Sequence, residues 1–279
     1  MRVVRTVAEL RAFYRNERDR ATTVAFVPTM GALHEGHLSL IRRAREAADL
    51  VVVSVFVNPL QFGPSEDFTR YPRDEARDIA LAEAERANVV FVPSVDQMYP
   101  DGAATTVHVD GPMTSTLEGA ARPGHFDGVA TVVAKLLNAV DPDVALFGQK
   151  DAQQVAVVRR MARDLDFRTE VVVAPTVREE DGLALSSRNA YLTPDERASA
   201  TALHAALRAG DAAWREAGAD ATVERMGARL AAAPGIELDY AAAVDPYTFE
   251  PPAEAGPVLL AVAARVGGTR LIDNVLVEP

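Results

Sequence analysis

Five short, almost wholly apolar runs recur through the first 175 residues: TVAFVP (23–28), LVVVSVFV (50–57), NVVFVP (88–93), DVALFG (143–148) and TEVVVAP (169–175). Between them lie segments with a helical period, at 37–48, 74–87, 126–140 and 153–165. In the first of these, Leu38, Ile41 and Ala44 or Ala48 share one face while Arg42, Arg43 and Glu46 lie off it. A strand that is apolar on both faces must be covered on both faces, which suits a parallel sheet and not a half-exposed antiparallel one. Repeated strand–helix alternation therefore predicts an α/β fold, a doubly wound, Rossmann-like parallel sheet.

The pattern changes after Thr176. Thr193, Pro194 and Glu196 read as N-cap, first helical residue and third residue of a capping box. Ala- and Arg-rich helix follows to about Ala233, then strands at 236–244 and 258–266, with Gly267-Gly268 marking a hairpin into TRLIDNVLVE. A smaller C-terminal α+β domain is expected over 177–279, after a first domain over 1–176, and 279 residues suit two domains.

Charge and composition narrow the function classes. A formal net charge of −11 argues against nucleic acid or an anionic membrane as partner. With no cysteine, thiolate nucleophiles, disulfides and cysteine-based zinc sites are excluded. The segment MRVVRTVAELRAF lacks the apolar core of a signal peptide and no run reaches membrane-spanning length, so a cytoplasmic location is expected.

Ligands of open parallel sheets bind beyond the carboxyl ends of the strands. Here those positions hold Met30 to His37 after the first strand, NPLQF (58–62) after the second, GQKD (148–151) after DVALF, and TVREEDGLALSSRN (176–189) after TEVVVAP. His34 and His37 flank Gly36 where strand gives way to helix. They can serve as a cap and a packed ring, or as donors to a phosphate at the helix start, where free N–H groups already favour an anion. The chain lacks both the dinucleotide glycine fingerprint and the Gly-rich phosphate loop, so a phosphate site must be of another kind. Lys150 is either a solvated lysine or a stabiliser of phosphoryl charge. Ser186, Ser187 and Arg188 form a polar loop or a polyphosphate grip. Gln61 and Gln154 are amides that satisfy backbone groups or read hydroxyl and carboxylate groups. Asp74, Glu75, Asp78, Glu83 and Glu85 read as the solvated face of a helix.

HEGH (34–37), with LSSRN (185–189), resembles the HxGH signature and mobile loop of the nucleotidylyltransferase superfamily. PTMGALHEGH, FVNPLQFGPSEDFTRYPR, LEGAARPGHFDGV, GQKDAQQ, DGLALSSRNAYL and the closing RLIDN together resemble the pantoate–β-alanine ligase (pantothenate synthetase) family over nearly the whole chain. That resemblance implies ATP-dependent condensation of pantoate with β-alanine through a pantoyl adenylate, releasing pyrophosphate and AMP. No enzyme nucleophile is required.

By matched position, the resemblance implies ATP contacts from Met30, Gly31, Ala32, Leu33, His34, Glu35, Gly36 and His37. Gly148, Gln149, Lys150, Asp151, Val177, Leu185, Ser186, Ser187 and Arg188 complete the nucleotide set. His37, His34 and Lys150 are the implied catalytic residues, His37 matching a proposed proton donor. Gln61 and Gln154, with Asn58 beside Gln61, are the implied substrate-binding set, and Glu118, Arg122 and His125 line the same site. Mg2+ is expected with the triphosphate, held mainly by phosphate and water; Asp78 could approach it, though no protein ligand is assigned. A homodimer is expected. Gln149, Ala152 and Leu185 depart from the usual glutamate, aromatic and methionine. The competing readings are another nucleotidylyltransferase, stopping at pyrophosphate release, and a non-catalytic nucleotide-binding sensor.

Overall fold

The structure, a computed structural model, describes residues 1–17, 22–64, 66–253 and 255–278. The chain forms two compact units, Met1–Gly148 with Val157–Ala174, and Gln149–Ala156 with Pro175–Pro279.

The first unit is built on six parallel strands: β1 (Arg2–Val4), β2 (Val24–Thr29), β3 (Leu50–Val55), β4 (Val89–Phe91), β5 (Val144–Gly148) and β6 (Glu170–Ala174). Their order is β1-β4-β3-β2-β5-β6. The chain runs outward from β2 to one side, then returns to place β5 on its other side, so the winding reverses between β2 and β5. That is the switch point at which such sheets open a crevice. Each expected strand is present, with ends shifted by one or two residues.

The longer helices are α1 (Val7–Glu17), α2 (Glu35–Ala47), α3 (Glu75–Ala84), α4 (His125–Val140), α5 (Ala152–Asp164), α6 (Pro194–Ala200) and α7 (Ala202–Ala231). On α2 the fully buried positions are Leu40, Ile41 and Ala44, packed with Val27, Val51 and Val53 of the sheet, while Leu38 and Ala48 pack less deeply against the same cluster. Ile41 and Ala44 thus lie on the expected face, Leu40 joins them and Leu38 sits at its edge. β1 is not foreshadowed by the hydrophobic pattern, because RVV is too short to show a period; α1, with Leu10 and Phe13 buried, is an element the sequence reading does not name.

The second unit carries α6, α7 and an antiparallel sheet β7-β8-β9 (Ile236–Val244, Val258–Val266, Thr269–Val277). Thr193 and Glu196 form the expected reciprocal cap: Thr193 N–H donates to the Glu196 carboxylate at 2.8 Å and Glu196 N–H to Thr193 Oγ1 at 3.3 Å. The long helix breaks at Gly218, whose φ of 78° lies in the left-handed region. Val266 pairs with Thr269 across the two-glycine turn, as the hairpin signal predicts. Gly267 there has φ +56°, a left-handed conformation that favours glycine. Of the proline-rich loop before β8, Glu254 lies outside the described residues. The unit's core joins Leu203, Leu207, Met226 and Leu230 of α7 to Leu260, Val262 and Val266 of β8.

Candidate active site

Just past β2 the backbone turns through two left-handed residues, Gly31 (φ 80°) and Ala32 (φ 49°). Asp78 of α3 is the reason the turn holds. Its carboxylate accepts from Ala32 N–H at 2.9 Å and Leu33 N–H at 2.7 Å. A Cβ on Gly31 would sit 2.8 Å from Asp78 Oδ2. Asp78 is 1% exposed, which overturns its reading as part of a solvated face. Its neighbours do fit that reading: Asp74 caps α3, Glu75 pairs with Arg5, and Glu83 is exposed. Burial pushes the Asp78 carboxyl above its ordinary value, and the two backbone donors only partly offset this.

Asp78→Asn tests what that carboxylate does. The amide keeps one acceptor and turns an NH2 toward a backbone N–H. Since the resemblance implies ATP contacts from this turn, ATP affinity is expected to weaken roughly tenfold, the scale of one charge-assisted hydrogen bond. Thermal stability should change little, because a buried charge is removed at the same time. Michaelis constants and a melting curve check this; a large stability loss with unchanged ATP affinity contradicts it.

The imidazoles at the start of α2 act as a reciprocal cap. His34 Nδ1 accepts from Gly36 N–H at 3.2 Å, His37 Nδ1 accepts from His34 N–H at 3.3 Å, and the rings stack with centroids 4.1 Å apart. The cap reading of the pair is therefore correct, and it bears directly on the phosphate reading. A neutral imidazole that accepts at Nδ1 carries its proton on Nε2, so both rings are donors at Nε2 beside a helix N-terminus. Glu35 is exposed and pairs with Arg42, so its side chain is directed away from that role. Leu33 is fully buried and offers only its backbone.

Asn58 and Gln61 flank the turn Pro59–Gln61 that follows β3. Asn58, 1% exposed, accepts from Tyr99 O–H at 2.7 Å and donates to Gly128 C=O at 3.0 Å and Gln61 Oε1 at 3.2 Å. Asn58 is thus structural in its contacts, and it orients Gln61. The Gln61 amide NH2 approaches Met30 Sδ at 3.1 Å, so two residues placed separately by the sequence meet. Gly128 makes this possible, since a Cβ there would stand 2.3 Å from Leu60 C=O.

Arg122 and His125 hold the same turn from below. His125 Nδ1–H donates to Gln61 C=O at 2.8 Å and its Nε2 accepts from Arg122 at 2.9 Å, while Arg122 grips Glu66 in a bidentate pair at 2.7 and 2.8 Å. Burial, reinforced by the Arg122 charge, pushes the His125 pKa down from 6.5 to about 4. The unfolded chain then takes up a proton near pH 6.5 that the folded imidazole refuses. Stability is expected to be full above that pH and to fall by up to about 3 kcal/mol as pH drops from 6.5 to 4. Urea titrations at several pH values check this, with His125→Gln flattening the slope; parallel slopes contradict it.

In the second unit, Gln149, Lys150 and Asp151 form a single 3₁₀ turn ahead of α5. Asn274 of β9 donates to Gln149 C=O at 3.1 Å and Lys150 C=O at 2.7 Å, and accepts from Gln149 Nε2 at 3.1 Å. Gln149 therefore serves as a donor here, a role closed to a glutamate. Lys150 Nζ lies 3.8 Å from Asp151. Arg178 makes a bidentate pair with the buried Asp273 at 2.6 and 2.9 Å and donates to Gly182 C=O at 3.0 Å. Leu185 N–H donates to Val177 C=O at 3.0 Å, bringing those two positions together, and Ser186 caps the turn Ser187–Tyr191 by accepting from Arg188 N–H at 3.2 Å. Gln154, in the first turn of α5, is half-buried. Tyr99, Arg178, Asp273 and Asn274, which hold these segments, carry no role in the sequence reading.

Sheet order, an imidazole-capped helix at the switch point and the absence of cysteine together define a Rossmann-like α/β enzyme that uses a nucleotide, without thiol chemistry. The chain belongs to the pantoate–β-alanine ligase family, whose model matches residues 2–276. It is 53% identical over 281 residues to the pantothenate synthetase of Moorella thermoacetica, covering 100% of this chain and 99% of that protein. Identity to the pantothenate synthetase of Thermus thermophilus is 54% over 282 residues, with 100% of both chains covered. A crystal structure of pantothenate synthetase from T. thermophilus superimposes with a TM-score of 0.94 at 53% identity over 100% of both chains. The Francisella tularensis pantoate–β-alanine ligase, complexed with β,γ-ATP and β-alanine, gives 0.83 at 34% identity over 99% of this chain and 97% of that one.

Proposed function

We propose that this ligase, which joins pantoate to β-alanine with ATP, works through a pantoyl adenylate and divides the labour among the residues described above. A carboxylate oxygen of pantoate attacks the α-phosphorus as the bond to pyrophosphate breaks. The β-alanine amine then attacks the acyl carbon, the C–O bond to AMP breaks, and the amine gives up a proton. Neither step needs an enzyme nucleophile, so catalysis is positioning and charge stabilisation.

The observation that carries this reading is the orientation of the imidazole pair, each ring turning Nδ1 toward a backbone N–H. With both Nδ1 atoms accepting backbone N–H groups, His34 and His37 present Nε2–H donors for phosphate oxygens that gain charge as pyrophosphate leaves. The backbone of Met30, Gly31, Ala32 and Leu33, with Gly36, cradles the nucleotide, and Gly148, Val177 and Leu185 add apolar and backbone contact. Lys150, Ser186, Ser187 and Arg188 neutralise the triphosphate. Gln61 and Gln154 hold pantoate.

Mg2+ fits as a partner of the triphosphate, held by phosphate oxygens and water. Among the described residues no group of three or more His, Asp or Glu is arranged to hold a metal ion, and Asp78 already uses both oxygens on backbone donors. A homodimer in the cytoplasm is the setting we assign. No described helix is long and apolar enough to cross a membrane.

The route is tested with pantoate carrying 18O in its carboxylate. An adenylate intermediate transfers one labelled oxygen to AMP. Label appearing in inorganic phosphate instead, with ADP as coproduct, contradicts it.

A further inference from the structure

The turn that carries Lys150 is three residues long, too short to fix its own geometry, because one 3₁₀ turn has little internal hydrogen bonding. A side chain 125 residues away anchors it. Asn274 sends both N–H groups of its carboxamide into the turn, to the carbonyls of Gln149 and Lys150, and takes the Gln149 side chain on its oxygen. The residue is 5% exposed, so these bonds act where water does not compete. Asn274 is itself held: its N–H donates to Asp273 Oδ1 at 2.8 Å, its carbonyl accepts from Arg178 at 3.3 Å, and it pairs with Ala261 in the sheet.

We infer that Asn274 is a positioning residue for Lys150, setting the backbone from which the ammonium reaches the phosphoryl group. The chemistry favours this residue type. Two carbonyl oxygens facing one small planar group need two N–H donors, which the asparagine amide supplies; aspartate would present an oxygen to an oxygen. The neighbouring Asp273–Arg178 pair ties the 178–182 loop to the same step of β9. Lysine has a long flexible stem, so the fixed part of its geometry is the backbone, and a displacement near 1 Å costs roughly 100-fold in rate. The inference rests on Lys150 acting on the phosphoryl group.

The test is a double-mutant cycle on the full chain, read as the single-turnover rate of adenylation with ATP, Mg2+ and pantoate, each variant first shown to be folded by melting. Asn274→Ala is expected to slow the step roughly 10- to 100-fold. Adding it to Lys150→Ala should cause no further loss beyond about twofold, because its effect passes through the missing lysine. A merely structural role would slow both backgrounds alike, so losses that multiply overturn the inference, as does an unchanged rate in Asn274→Ala. If Lys150→Ala itself reacts at the normal rate, the assignment of Lys150 fails and this inference falls with it, a result distinct from failure of Asn274 alone. Should Asn274→Ala not fold, Asn274→Asp keeps the volume and lacks both donors; the same loss is expected, and a normal rate overturns the inference.

Discussion

Replacing His37 by alanine is expected to slow pantoyl adenylate formation by roughly 10²–10⁴, the usual scale for one positioned acid–base group or oxyanion donor. Two losses occur together and differ in size. The first is the Nε2–H donor, equivalent to about 3–5 kcal/mol of transition-state stabilisation over that range of rates. The second is the cap on α2, because His37 Nδ1 no longer accepts His34 N–H, and a lost cap costs about 1 kcal/mol of stability. Rate should therefore collapse while the fold survives. His37→Asn separates the two contributions, since its side-chain oxygen can restore the acceptor without restoring an imidazole donor in the same place. Recovery of stability without recovery of rate supports the donor role. Near-normal adenylation in His37→Ala would remove it.

Asp273→Ala carries the largest expected cost in stability. Its carboxylate is 3% exposed and both oxygens engage Arg178, which also donates to Gly182 C=O and Asn274 C=O. Truncation leaves a guanidinium without its counter-charge in a place water reaches poorly, and breaking a buried pair this way costs about 3–5 kcal/mol. The Arg178 side chain is 20% exposed, so partial solvation puts the expected loss near the lower end. Urea denaturation measures it. Removing both partners, as Asp273→Leu with Arg178→Met, should recover much of the loss, because the pair repays little more than its own desolvation. A single variant as stable as the parent would mean that the pair is not a clamp.

The architecture of the first unit is legible because buried parallel strands are apolar throughout and helices repeat every 3.6 residues. β2 to β6 follow from those two facts, and the β8–β9 hairpin follows from Gly267-Gly268. Three-residue β1 has no period to read. Asp78 misleads because a carboxylate on a helix is usually solvated; the countersignal is weak, a position one turn before the buried Ala82. The histidine pair is legible as a helix cap, but which nitrogen makes the cap is a matter of ring orientation. Asn58 and His125 carry no local mark of their partners, Gly128 and Gln61, 70 and 64 residues away. Asn274 is harder still, since nothing within RLIDN points to a turn 125 residues upstream. Residue types at strand ends can be read from a sequence; the hydrogen bonds that aim them come from the fold.

A two-step ligation leaves an adenylate bound between its steps, and counting pyrophosphate detects it. With ATP, Mg2+ and pantoate but no β-alanine, a burst of about one pyrophosphate per active site and then near-arrest is expected, as the adenylate stays bound where water is excluded. Adding β-alanine should release AMP and start continuous turnover. Pyrophosphate release that runs on without the amine, or that does not begin until the amine is added, would contradict it.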